Sequence, residues 1–480
     1  MMNMKKSVVA VCVIVVLGAV WTGGAWYSGK QLEKSTEAFL KEAGTYASDK
    51  LGIPLNVTIK NYQRGLLSTH FIIDVSPDKS MPVDVVIDHG PFPLARIGSG
   101  NILPAIATAK LTLVNNAVTK PLFDAAKGKS LIEAKIDFAY GGAISSDVTF
   151  VPAEYQGETG KLIFEGASYH VDVNSTRNDI EFEGEIDKIT FSYKKGIEIV
   201  IPDATFSGHQ TKSPFDFMTG LQKVDIGNIT INSQGKPAAE LNGFSLEGSA
   251  ELSADGRKLN AGGGYTLASL KVQGQDFGSG KTGISFDGVD AAAFNNFLNY
   301  YRHFGKEYLQ VPQAQRDNPD FMHERILSLA PKAVQLKKGE PVFKLPVSWK
   351  NAKGEATFNI EVQAADVNKA PDAGAGETAV LDSMVKHINV KLAVPVDMAT
   401  EMAKNMLIVA GGKSEEAAQA EASKNITGLV GLGNLFKLIA LENNTVKLDV
   451  NYSGGFVTMN GEKMTLDEFR QKFGRFGLPH

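Results

Sequence analysis

One cysteine in 480 residues is the first absence. It excludes an internal disulfide, a cysteine-based zinc site and an iron–sulfur cluster. That residue, Cys12, sits in an apolar run with no small residues just before it. It reads as a buried apolar side chain rather than a lipid-attachment cysteine. A surplus of either charge is missing too. The 49 Lys and Arg stand against 53 Asp and Glu, a formal charge of −4. A nucleic-acid binder working through a basic face is therefore not expected. The scarcity of apolar side chains that marks disordered chains is also absent, since 43% of residues are hydrophobic and 9% aromatic. The length leaves room for about three domains, and 48 glycines suit many turns.

Charge is wholly missing from one N-terminal stretch. Lys5 and Lys6 are followed by Ser7 to Gly29, 23 residues without a charge until Lys30. As a helix this would span ~34 Å, enough to cross a bilayer with some tilt. Trp21, Trp26 and Tyr27 cluster at its far end, where an aromatic belt meets the headgroups. The two leading lysines place the N-terminus in the cytoplasm and residues 30–480 outside. A cleaved signal peptide is the rival reading, with Gly23 and Ala25 as small residues near a cleavage site. Two tryptophans crowd that region, and the span runs almost directly into a helical pattern, so an uncleaved anchor is expected.

Beyond the anchor, Gln31 to Lys50 has amphipathic helical spacing through Leu32, Phe39, Leu40, Ala43 and Ala47. The period then becomes two. Leu55, Val57 and Ile59 alternate with polar residues, as do Leu67 to Val75. The same alternation recurs over Ile132–Phe138, Ile144–Phe150, Tyr169–Val173, Ile180–Ile186, Ile189–Tyr193 and Ile197–Ile201. Strands at about ten-residue spacing, separated by turns such as Gly141-Gly142 and Asn178-Asp179, predict a large antiparallel sheet with one wet face. No exact repeat marks a propeller or solenoid.

Helix returns at about Asp290. A second helix starts at Asn318-Pro319 and is expected to end before Pro331. A strand pair follows over Val342–Lys350 and Thr357–Val362, then a loop over Asn368–Glu377 and a strand through Ile388–Val394. Helices are predicted over Met398–Ala410 and from Ser414 to about Ala440. Val446–Val450 and Phe456–Met459 make strands, Asn460-Gly461 a tight turn, and Thr465 with Glu468 a capping box on a last helix.

Chemistry-bearing patterns are weak. Gly278-Ser279-Gly280-Lys281-Thr282 resembles the end of a phosphate loop. Gln275 stands where that motif needs its first glycine, and a strand follows where a helix should open, so a hairpin turn is expected. The histidines (His70, His89, His170, His209, His303, His323, His387 and His480) include no pair at helical ligand spacing. Glu181, Glu183 and Glu185 form a carboxylate ladder on one strand face, which reads as a solvated face. Asp88-His89 precedes Gly90-Pro91-Phe92-Pro93-Leu94. Adjacent residues of an extended segment point oppositely, so His89 is expected to satisfy local backbone groups rather than to pair with Asp88. No catalytic, cofactor-binding or metal-binding residue is predicted.

Several segments carry a resemblance. These are Leu17 to Tyr27, Asp88 to Leu94, Leu113-Val114-Asn115-Asn116, Lys120 to Asp124, Ser348 to Asn351, and Val394 to Glu401. In this order, across nearly the whole chain, they resemble the YdgA-type family, envelope proteins of Gram-negative bacteria without an established biochemical activity. The resemblance implies an inner-membrane protein with one N-terminal helix and a large periplasmic body, and it supplies no catalytic residues.

The expected fold is α+β and β-rich, one transmembrane helix followed by a large multi-stranded antiparallel sheet with covering helices. The expected divisions are 1–29, the cytoplasmic tip and anchor; 30–125, a helix and first strands; 126–289, the β-rich body; 290–340, helical; and 341–480, α+β. A non-enzymatic envelope scaffold or protein-interaction module is expected, with a protein partner or a second copy bound. The alternative is a sheet that binds or shields a lipid or other apolar ligand. What covers Ile132, Ile136, Phe138, Phe182, Ile186, Phe191 and Ile199 discriminates between them, because a large open apolar surface is abnormal for a soluble body.

Overall fold

The computed structural model describes residues 56–76, 81–316, 318–366, 368 and 376–474. The expected anchor and the helix over Gln31–Lys50 lie outside the described residues. Among the described residues, no helix is long and apolar enough to cross a membrane. The chain divides into two compact units. The first comprises Met1–Ile189, Ser207–Thr211 and Arg302–Gln313; the second comprises Thr190–Phe206, Lys212–Tyr301 and Ala314–His480.

In the first unit the strands are β1 (Asn56–Arg64), β2 (Ser68–Ser76), β3 (Met81–His89), β4 (Ala107–Leu113), β5 (Ile132–Phe138), β6 (Ile144–Phe150), β7 (Ala153–Gln156), β8 (Gly160–Phe164), β9 (Ala167–Val173) and β10 (Asp179–Ile186). Two short helices, α1 (Leu94–Gly98) and α2 (Lys120–Ala125), lie in the connections. The pairing β1–β2–β3–β4–β5–β6–β9–β10 is antiparallel throughout. β7 and β8 form a hairpin inserted between β6 and β9. Period-two sequence produces this directly, since successive side chains leave opposite faces. The core of the unit lies at β2–β4, where Phe71, Ile73, Val85, Ile87, Ala107 and Ala109 are buried.

The chain continues through β11 (Ile189–Tyr193), β12 (Ile197–Ile201), β13 (Ala204–Lys212), β14 (Met218–Ile226), β15 (Ile229–Ser233), β16 (Lys236–Leu252), β17 (Lys258–Val272) and β18 (Gln275–Asp290). Then come α3 (Ala291–Gln310), α4 (Gln313–Arg316), α5 (Pro319–Ala333), β19 (Val342–Asn351), β20 (Gly354–Ala364), α6 (Glu377–Met384), β21 (Val385–Pro395), α7 (Val396–Gly411) and α8 (Glu415–Leu435). β22 (Ala440–Glu442), β23 (Thr445–Ser453), β24 (Phe456–Met459), β25 (Glu462–Thr465) and α9 (Leu466–Phe473) close the described chain. In the second unit β14 pairs with β16, and an antiparallel run follows from β16 through β21 to β23, β24 and β25. One core gathers Phe217, Leu259, Val289 and Ala291. A second gathers Tyr452, Val457, Met459, Met464, Leu466 and Phe473.

Local chemistry sets the ends of the elements. Ser414 caps α8 by accepting from the Ala417 amide, and Gly412 takes the left-handed conformation after α7. Thr465 and Glu468 make the expected capping box on α9. Asn460 and Gly461 both have positive φ in the β24–β25 turn.

Four expectations differ from the structure. α5 runs through Pro331 to Ala333 rather than stopping before the proline; only one helical hydrogen bond is lost there, close to the helix end. Glu377, the last residue of the expected loop, instead opens a helix, α6. α8 ends at Leu435, short of Ala440, which belongs to β22. Gly278 to Thr282 is not a hairpin turn but the interior of β18, flanked by β17 and β19. The glycines there serve close approach. A Cβ on Gly280 would stand 2.4 Å from the Trp349 ring, which lies across the strand and donates its indole N–H to the Phe277 carbonyl at 2.7 Å.

Candidate functional site

Register makes the two faces of β5, β6, β9 and β10 chemically opposite. Ile132 pairs with Phe150, Phe150 with Ala167, and Ala167 with Ile186. Parallel rows run Ala134–Val148–Tyr169–Gly184, Ile136–Ser146–Val171–Phe182 and Phe138–Ile144–Val173–Ile180. One face is thus four rows of apolar side chains, with Ser146 as the polar exception. The reverse face carries Glu133–Thr149–Ser168–Glu185, Lys135–Asp147–His170–Glu183 and Asp137–Ser145–Asp172–Glu181.

The apolar face is not a closed core. No residue of β5 through β10 is buried. All seven discriminating side chains, Ile132, Ile136, Phe138, Phe182, Ile186, Phe191 and Ile199, are only half-buried. Ile136 and Phe138 lean on the buried cluster of β2–β4. Tyr169 and Phe182 touch at a ring separation of 6.5 Å. Partial burial holds the Tyr169 hydroxyl above the usual phenol range. The rows extend about 20 Å along the strands, the length of an extended acyl chain.

The charged face holds an open cleft of about 500 Å³, lined by Arg96, Asn101, Lys135, Asp137, Asp147, His170, Asp172, Asp179 and Glu181 among others. His170 is clamped there, with Nδ1 2.6 Å from Asp147 and Nε2 3.2 Å from Asp172. Asp147 and then Asp172 raise the imidazole pKa above its ordinary value. Ser145 first, and His170 after it, hold Asp172 below the usual carboxylate range. With a carboxylate on each nitrogen, the protonated ring has no lone pair left to act as a base. Thr108, fully buried, donates to Asp137, and the Arg96 guanidinium stands 3.9 Å from the same carboxylate. Glu181, Glu183 and Glu185 are exposed on this face, the solvated ladder that the alternation implies.

The remaining sequence candidates disperse. His89 is buried, with Nε2 2.7 Å from the Thr69 hydroxyl and Nδ1 3.4 Å from the Leu66 carbonyl. Asp88 turns away and accepts from the Ala95 amide at 2.7 Å. The two do not form a catalytic pair. His70 meets Asp84 at 2.5 Å, His209 meets Asp179 at 2.8 Å, and His387 lies 3.3 Å from Asn451. His480 and the side chain of His323 are outside what is described. Among the described residues no group of three or more His, Cys, Asp or Glu could hold a metal ion. Lys281 lines a smaller cleft of about 250 Å³ with Thr266, Ser279, Lys350 and Glu355. It lies in a strand, with no helix N-terminus to receive phosphate.

Residues 4–467 match the family described as bacterial protein of unknown function (DUF945). The chain belongs to the DUF945 family. It is 34% identical to Protein YdgA of Escherichia coli K12, over 99% of this chain and 97% of that one. It is 30% identical to Uncharacterized protein YihF of the same organism, over 98% and 99% respectively. An uncharacterized Haemophilus influenzae protein shares 24% identity over 63% of this chain and 88% of its own. No solved structure matches this DUF945 chain. The YdgA-type resemblance read from the sequence is thereby established, and the names of these relatives assign no activity.

What sequence reasoning missed is the extent of opening. Alternation gives the parity of each side chain but not what lies over it. A usable signal was the absence of charge and of proline from the apolar parity of β5, β6, β9 and β10.

Proposed function

We propose that the β5, β6, β9 and β10 face of the first unit binds and shields an apolar ligand with acyl chains, and that the protein performs no catalysis. The single observation that carries this reading is a four-row apolar face on which no side chain is buried. The part of each half-buried side chain that still meets water is unfavourable by about 25 cal/mol per Å², and a contiguous apolar face that is not closed is a candidate binding surface. The charge-free span behind Lys5 and Lys6 would hold the body at the periplasmic side of the inner membrane, beside a source of such chains. The scaffold reading needs the same face packed shut by helices, and the half-burial of Phe182 and Ile132 favours the ligand.

Mass spectrometry of lipids and proteins co-purifying with the detergent-extracted chain tests this. Stoichiometric lipid that is lost on Phe182→Glu, with the fold retained by circular dichroism, is the expected result. A lipid-free chain that brings down one reproducible protein partner would return the face to a scaffold.

A further inference from the structure

We propose that the C-terminal half of α8 is a tip that inserts into a lipid bilayer carrying anionic headgroups. It lies in the second unit and does not depend on the ligand proposed for the first.

α8 has two unlike halves. Its first turns are seated by Ala418 and Ala422, both fully buried, and by ion pairs from Lys413 to Glu421 and from Lys404 to Glu415. Beyond Ala422 no residue of the helix is buried. There the sequence turns apolar where a solvent-facing helix should turn polar. Leu429, Leu432, Leu435 and Phe436 are exposed, Leu435 at 73%. From Asn425 through Phe436 there is no charge, and Lys424 and Lys437 bracket the stretch. No acidic residue occurs between Glu421 and Glu442. Apolar side chains between flanking lysines match a membrane interface, where the chains enter the acyl region and the ammonium groups stay with anionic headgroups.

The helix end meets a second demand of that environment. Carbonyls left open at a helix C-terminus are tolerated in water but strongly disfavoured in lipid. Here the chain itself closes three of the last four. The Phe436 amide donates to Leu432, Lys437 to Asn434, and Leu438 to Gly433. Lys437 takes the left-handed conformation at the point where glycine is the usual choice, which keeps a cation at the rim. A second copy is the weaker occupant, because Leu429, Leu432, Leu435 and Phe436, each only partly exposed, cannot supply the ~800 Å² per partner of a stable interface.

The test reads one position in the full chain, so that binding through any other segment cannot imitate it. Cys12→Ala with Leu432→Cys carries an environment-sensitive dye, and Cys12→Ala with Leu221→Cys, exposed on β14, is the control. With vesicles of phosphatidylethanolamine and phosphatidylglycerol, emission at 432 should rise about threefold and be quenched by lipids labelled in the acyl chain. The control should do neither, and Leu429→Ser with Leu435→Ser should abolish the rise. Emission at 432 that remains as open to aqueous iodide as the control overturns the proposal. So does a rise that needs only protein concentration and no vesicles, which would make the tip a contact between copies.

Discussion

The first-unit sheet has two halves that share one register and differ in burial. Across β2–β4 the apolar parity is shut, with Phe71 at 1% exposure and Ala107 at 0%. Across β5, β6, β9 and β10 the same parity continues row by row, yet nothing on it is buried. Residue types do not explain the difference, since both halves are rich in Ile, Val and Phe. Alternation therefore sets which way a side chain points, and the third dimension sets whether water reaches it. In the shut half the apolar face contributes stability. In the half-buried half a similar face contributes less.

The comparison breaks most easily at paired phenylalanines. Phe71→Ala should destabilise by about 3–5 kcal/mol, the range for a fully buried aromatic. Phe182→Ala should lose roughly 1–2 kcal/mol, because its ring is only half-buried. Denaturant unfolding of both variants measures the gap, and equal losses would mean that the open half is a packed core. A smaller effect separates the polar groups. Thr69→Val leaves buried His89 without its 2.7 Å partner and should cost about 1–3 kcal/mol. Thr149→Val, on the exposed face of β6, should stay within about 0.5 kcal/mol.

Occupancy can be followed at Tyr169. Its pKa is already raised by burial, so its contribution to stability is present below the usual phenol pKa and fades as pH rises through the higher folded value. Loading the face with lipid should raise that titration further, as read by ultraviolet difference spectra. A titration indifferent to lipid would count against lipid binding on this face. The smallest effect belongs to His170. Its raised pKa means that its contribution is present below the ordinary histidine pKa and is lost as pH climbs through the folded value. His170→Gln should flatten that part of the stability profile only slightly, because the ring and both carboxylates are exposed to water. Nuclear magnetic resonance titration of the imidazole checks the direction, and a lowered value would show that the two carboxylates do not hold it.

Much of this architecture was legible in advance. The bounds of β5, β6, β11 and β12 follow from alternation alone, and the Thr465 capping box follows from residue spacing. The long strands β16–β18 were harder to read. Gly262, Gly263 and Gly264 look like a loop in one dimension but face neighbouring strands too close to admit a side chain. Gly278 to Thr282 misled for the same reason. Pro331 was over-read, because a proline near a helix end removes little. The apolar rows were visible as a pattern, but their hydration depends on what the rest of the chain places over them. The His170 clamp joins β6 to β9 through a pairing that skips the β7–β8 hairpin, so no local spacing announces it.

Because the rows of β5, β6, β9 and β10 are built by alternation, their chemistry is conserved only modulo two. One residue inserted inside β9 would carry every side chain beyond it to the other face, setting Asp172 among the isoleucines and Val171 in the charged cleft. Two inserted residues would restore the faces. Length variation within these strands should therefore come in even steps, whereas the β7–β8 excursion, which stands outside the β6–β9 register, can change by any number.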